Sequence, residues 1–110
     1  MDYPDIALPV ALAVGCREFG AGILVCSDGV GMCMAANKVR SVRAAVVHDG
    51  FSARVVREHH DCNLMCLAAD FVSDVNIGEA VHVFLSAQFS GGAHARRVEK
   101  LMQIEQYHEH

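Results

Sequence analysis

The stretch that most constrains the fold is Gly22 to Lys38, GILVCSDGVGMCMAANK. An apolar run, Ile23-Leu24-Val25, ends at Cys26, passes through a glycine-bearing loop, Ser27 to Gly31, and enters a small-residue segment, Met32 to Lys38, that reads as a helix. A buried strand, a tight turn and a helix start in that order make a βα unit. The free backbone N–H groups of a helix's first turn, with the positive end of its dipole, attract anions where glycines let a ligand approach. A thiol just before such a helix has its thiolate favoured, and so can act as a base or nucleophile near neutral pH. From the residues alone two readings stay open: a small-anion site with Cys26 at its edge, or a plain structural turn of the kind common in α/β proteins.

The rest of the chain continues the alternation. Asp2 to Gly15 is predicted helical, with Pro4 in the first turn, Asp2 or Asp5 as cap, apolar positions at Ile6, Val10, Leu12 and Val14, and a break or bend near Pro9. Val42 to Val47 is a second apolar strand closed by the turn signal His48-Asp49-Gly50. Ser52 to His60 is helical, and Leu64 to Ala68 is a third, short strand. Ser73 or Asp74 caps a helix over Val75 to Ala87 that packs through Ile77, Val81, Phe84 and Leu85. Gly91-Gly92 breaks the chain before a last helix, Ala93 to about Tyr107, with His94, Val98, Leu101 and Glu105 on one face and a frayed end beyond it. Strands alternating with helices predict parallel βα units in one domain, residues 1–110. Three strands are fewer than the roughly 4 to 6 of a usual sheet.

Composition narrows the function. Hydrophobic residues are 53% of the 110 and aromatics only 6%, so the apolar content is aliphatic and suits a sheet covered on both faces. A formal net charge of -4 with scattered arginines leaves no basic footprint and argues against nucleic acid. No apolar stretch approaches the roughly 20 residues of a membrane span, and the acidic start MDYPDIALPVALAV lacks a basic signal region, so a soluble cytoplasmic protein is expected. Five cysteines, an odd number, fit reduced thiols, with Cys16, Cys33 and Cys66 expected as small buried hydrophobes. His59, His60, Cys62 and Cys66 follow H-H-D-C-x-x-x-C, which matches none of the usual zinc spacings, so neither metal nor cofactor is expected.

These residues resemble the sugar-phosphate isomerase family that contains ribose-5-phosphate isomerase B and the galactose-6-phosphate isomerase subunits. The matching segments, in family order, are DYPDIA from Asp2, GILVC followed by GVGM and AANK, VRAAVVHD from Val42, SAR, REH and an Asn between Ser52 and Asn63, and GG-H-RRVEK from Gly91. Family members begin with a strand, a helix and a second strand before the DYPD segment, and their first strand ends in an Asp-His type pair. This chain starts at DYPD. The resemblance therefore implies a Rossmann-like three-layer α/β/α fold with a parallel sheet that lacks the family's first strand-helix-strand.

The resemblance also implies chemistry: interconversion of aldose and ketose phosphates, ribose 5-phosphate to ribulose 5-phosphate in the first instance, through an enediolate. Cys26 stands at the family's base and His59 at the histidine that assists ring opening. Substrate binding is implied for Asp28, Gly29, Val30 and Gly31 around the oxyanion cradle, and for Asn37, His60 and Arg97, the last holding phosphate. The expected partners are a small sugar phosphate and a second chain, in a homodimer or a hetero-oligomer. Several positions depart from the family pattern. Ser27-Asp28 stands for Gly-Thr, His60 for Asn, Ala93 for a phosphate-binding Arg and Asp70 for another Arg. Asp28 has two readings, a carboxylate that repels an enediolate and raises the Cys26 pKa, or a helix cap. The departures keep two alternatives beside the isomerase: a catalytically impaired member acting as a binding or partner subunit, and a structural remnant prone to associate through its sheet edge.

Overall fold

A computed structural model describes residues 2–108. Its elements are α1 (Tyr3–Gly15), β1 (Gly22–Cys26), α2 (Val30–Ala36), β2 (Ala44–Val47), α3 (Gly50–Glu58), β3 (Leu64–Ala68), α4 (Asp74–Ser86) and α5 (Ala93–His108). All three expected strands and all five expected helices are present, with ends shifted by a residue or two. Glu109 and His110, at the end expected to fray, lie outside the described residues.

The strands form one parallel sheet in the order β1-β3-β2. The last strand in sequence is thus the central one, and its five residues are all buried. Successive side chains of a strand point to opposite faces, so β3 feeds two cores. Leu64 and Cys66 join Leu24 of β1 under α1 and α2, while Met65 and Leu67 join Val47 of β2 under α3 and α4. The fold is a three-layer α/β/α Rossmann-like arrangement, as expected. Among the described residues no helix is long and apolar enough to cross a membrane.

Four packing expectations are corrected. Helix α1 runs unbroken through Pro9, and it is buried through Ala7, Ala11 and Val14, while Ile6, Leu8 and Leu12 face out. Small side chains let α1 lie close against α2; the larger aliphatics do not fit between them. In α4 the inward residues are Ala80 and Phe84, with Ile77 and Val81 half-buried beside them, and Leu85 is exposed. In α5 the inward face carries His94, Val98, Met102 and Glu105, with Met102 in the place expected for Leu101. Cys66 and Cys62 are buried and Cys33 is partly so, but Cys16 is exposed, because it caps the open C-terminal end of α1.

Candidate functional site

The C-terminal end of the sheet is built largely from backbone. The chain leaves β1 at Cys26, and the loops after β1 and β3 are tied together where Ala69 N–H donates to the Cys26 carbonyl (2.8 Å) and Asp70 N–H to the Ser27 carbonyl (3.1 Å). Gly29 begins α2 at φ 77°, a left-handed conformation that glycine adopts without strain. That turn aims the Gly29 N–H at the half-buried Cys26 sulfur, 3.0 Å away. The sulfur thus stands at the mouth of the turn with a backbone donor set directly against it. The next amide, Val30 N–H, donates to the Asp28 carboxylate at 3.0 Å. Asp28 therefore caps the turn and puts its own negative charge on one of the amides of the expected cradle. Gly31 follows, packed so close to the Tyr3 ring that a Cβ there would stand 2.9 Å from it.

On the same end, Asp49 caps α3, accepting from Ser52 N–H at 2.7 Å and from the Ser52 hydroxyl at 2.8 Å. Those two bonds hold the Asp49 carboxyl below its ordinary range. His48, read from the sequence only as part of a turn, is exposed at the end of β2. It lies at the Cys26 end of the sheet.

The other predicted residues lie at the opposite end. Helix α3 runs back from the C-terminal to the N-terminal edge of the sheet, so His59, its C-cap, and His60 arrive where β3 begins. From there to the level of Cys26, in register with Ala68, is about 13 Å at roughly 3.3 Å per residue. Asn37 ends α2 at this edge too. Its side-chain oxygen accepts from Ala44 N–H (2.8 Å) and its amide donates to the Ala44 carbonyl (3.0 Å), which fixes the start of β2. Within one chain the structure does not bring His59, His60, Asn37 or Arg97 to Cys26.

Side chains build this second region. His94, two residues after Gly92, stacks on His59 with ring centres 4.3 Å apart and planes within 7°, and His60 meets His59 edge-on at 6.3 Å. The chain reaches this place because Ser90 N–H donates to the Glu58 carbonyl (3.0 Å) and Gly91 and Gly92, both at positive φ, turn it into α5. Desolvation lowers the His94 pKa, and the charges of His59, Arg97 and His60 lower it further. The loop beneath is braced by Asp61, which Arg57 contacts at 3.0 Å and Arg43 at 3.4 Å, while Arg57 also donates to the Cys62 carbonyl at 2.7 Å. A cavity of ≈ 730 Å³ opens between α5 and β2, with Asn37, His60, Arg43 and Met102 on its wall. The His59–His94 stack had no local signal, since 35 positions and two elements separate the rings. Among the described residues no group of three or more His, Cys, Asp or Glu is placed to hold a metal ion.

Comparison with known proteins places this geometry. Residues 1–101 match the family described as Ribose/Galactose Isomerase. A putative sugar phosphate isomerase of Bacillus subtilis is 40% identical over 106 residues, covering 96% of this chain and 71% of that protein. Ribose-5-phosphate isomerase B of Escherichia coli is 42% identical over 105 residues, covering 96% of this chain and 70% of that protein. Among solved structures, ribose-5-phosphate isomerase B of Mycoplasma genitalium with bound ribulose-5-phosphate superposes with a TM-score of 0.92 at 44% identity, covering 96% of this chain and 70% of that one. With its strand order, its glycine turn at Cys26 and a match over nearly its whole length, the chain belongs to the ribose/galactose isomerase family.

Proposed function

We propose that this chain is an aldose–ketose isomerase of a sugar phosphate, interconverting ribose 5-phosphate and ribulose 5-phosphate. The observation that carries the proposal is the Gly29 N–H on the Cys26 sulfur, in a fold that matches a ribose-5-phosphate isomerase B with bound ribulose-5-phosphate. The Cys26 thiolate takes the proton from C2 of the open-chain aldose, leaving an enediolate; a proton passes from O2 to O1, and the Cys26 thiol returns its proton to C1 to give the ketose. Amides of the Gly29 to Gly31 turn hold the developing oxyanion, which displaces the Asp28 carboxylate from Val30 N–H. His59 assists ring opening and Arg97 holds the phosphate, with His60 and Asn37 beside them.

Because His59 and Arg97 lie at the far end of the sheet from Cys26, this division of labour needs two copies of the chain. The Cys26 end of one copy faces the His59 end of the other, as a two-fold axis allows. The reading places the chain in the cytoplasm with a free sugar phosphate as substrate.

The Asp28 carboxylate on Val30 N–H favours a second reading, an impaired member that serves as a binding or partner subunit. One assay separates them. Purified protein is expected to convert ribose 5-phosphate to ribulose 5-phosphate, and Cys26→Ala to lower turnover by about 10²- to 10⁴-fold with an unchanged circular dichroism spectrum. Equal turnover in the variant removes Cys26 as base. A folded wild-type chain that binds the sugar phosphate by calorimetry without converting it supports the partner-subunit reading.

A further inference from the structure

We propose that α5 is the helix through which two copies of the chain dock, its cationic outer face seating on the acidic Cys26 end of the other copy. The inference rests on the isomerase reading above and names the surfaces that join its two half-sites.

Helix α5 is unlike the other four. Each of α1 to α4 buries at least two residues, whereas none of residues 93–107 is fully buried. It lies across the N-terminal end of the sheet, held by the His94 ring on His59, by the Arg43 guanidinium donating to the Met102 sulfur at 3.5 Å, and by the Glu105 carboxylate, which accepts from Ser41 N–H at 2.7 Å. Its own chain thus holds one side of it. Leu101 and Ile104 stay half exposed, and their spacing puts them on one stripe with Arg97. Such a stripe stabilises a helix only when something covers it.

Charge selects what covers it. Arg96, Arg97 and Lys100 are exposed on α5 against one exposed acid among residues 93–107, Glu99, and Arg17 and Lys38 stand at the same end of the sheet, where α1 and α2 finish. The Cys26 end has the opposite sign. Asp2 and Asp5 begin α1, Asp28 follows β1, and Asp70 and Asp74 follow β3; all are exposed, and among the described residues no cation pairs with any of them. Beside the last two stand Phe71 and Val75, 76% and 78% exposed. Acid and base are segregated to opposite ends of one chain, so a second copy turned end for end matches each end to its opposite. A two-fold axis repeats the contact, because each chain offers both surfaces. Leu101 and Ile104 then meet Phe71 and Val75 inside a charged rim. The same docking carries Arg97 to the Cys26 end of the other copy, where the carboxylates alone repel a phosphate.

The test follows dimerisation of the purified full chain by analytical ultracentrifugation at about 0.05 M and about 0.5 M salt, for the wild type, Asp70→Lys/Asp74→Lys and Arg96→Glu/Lys100→Glu. The wild type is expected to be a dimer whose dissociation constant rises about tenfold or more with salt, because charges across a wet rim are screened. Each reversal sets like charges against each other at both contacts of a homodimer and should leave the chain monomeric. An equimolar mixture of the two variants should dimerise, since acid then faces base at both contacts. Circular dichroism checks that each variant is folded. If the lysines prevent folding, Asp70→Asn/Asp74→Asn replaces them and should dimerise more weakly than the wild type with a shallower salt dependence. The proposal is overturned if the wild type is monomeric, if either reversal dimerises as the wild type does, if the mixture stays monomeric, or if the dimer ignores salt. A dimer that meets every expectation yet does not convert ribose 5-phosphate upholds the docking and removes the isomerase reading; turnover that survives both reversals does the opposite.

Discussion

The two ends of the sheet carry different kinds of site. At the C-terminal end the important atoms belong to the backbone or to residues within four positions of each other: the Gly29 N–H, the Cys26 sulfur, the Val30 N–H and the Asp28 carboxylate. At the N-terminal end they belong to side chains from distant segments: His59 against His94, Asp61 between Arg43 and Arg57, Asn63 against the start of β2. A short turn fixes donors through chain geometry, whereas stacked rings and ion pairs need two elements brought together by packing. The first end is therefore built mainly within one βα unit, and the second from α3, α5 and the segments that lead into β2 and β3.

The sharpest way to break this comparison is complementation. If the two ends cooperate only between copies, Cys26→Ala and His59→Ala are each inactive alone. An equimolar mixture, allowed to exchange chains, then regains roughly a quarter of wild-type turnover, since half of its dimers pair unlike chains and each of these keeps one intact site. No recovery from demonstrably mixed dimers means that the ends do not share a site.

Asn63→Ala probes the N-terminal end by itself. Its side-chain oxygen accepts from Arg43 N–H (2.8 Å) and its amide donates to the Ser41 carbonyl (2.9 Å), so truncation leaves backbone groups unpaired. Urea unfolding is expected to show a loss of about 1–3 kcal/mol. A loss no larger than that of an exposed surface substitution means that water replaces both bonds. At the other end, Gly29→Ala forces a side chain into φ 77° with its Cβ 3.2 Å from Val46 Cγ1. The expected cost is about 1–2 kcal/mol in the same measurement, with turnover falling as the donor leaves Cys26. Unchanged turnover separates the turn from catalysis.

The smallest expected effect is a pH dependence confined to the N-terminal end. His94 has a lowered pKa in the fold, so the unfolded chain binds more protons as acid is added. Stability from this group is full above the ordinary histidine pKa and is lost as pH falls through the lowered folded value. The charges facing it, from His59, His60 and Arg97, act in the same direction. Unfolding followed from roughly pH 5 to 8 should show this loss in the wild type and less of it in His94→Phe, which keeps a stacked ring without a titrating nitrogen. Identical profiles assign the loss to other groups.

The sequence by itself determined the order of strands and helices, the glycine turn at Cys26 and the family. Each of these rests on neighbours in the chain: aliphatic runs of strand length, a glycine where φ must be positive, small residues where a helix starts. Ser73 as a cap of α4 was legible for the same reason, and its hydroxyl accepts from Asn76 N–H at 3.2 Å. Only the tertiary structure decided that β3 lies in the centre, that α1 packs through Ala7 and Ala11, that His94 stacks on His59, and that Cys26 and His59 stand at opposite ends of the sheet. The reason is that local propensity and periodicity act over a few residues. Which faces meet is set by burial and by close packing summed over segments far apart in the chain, and that sum is not written in any one of them.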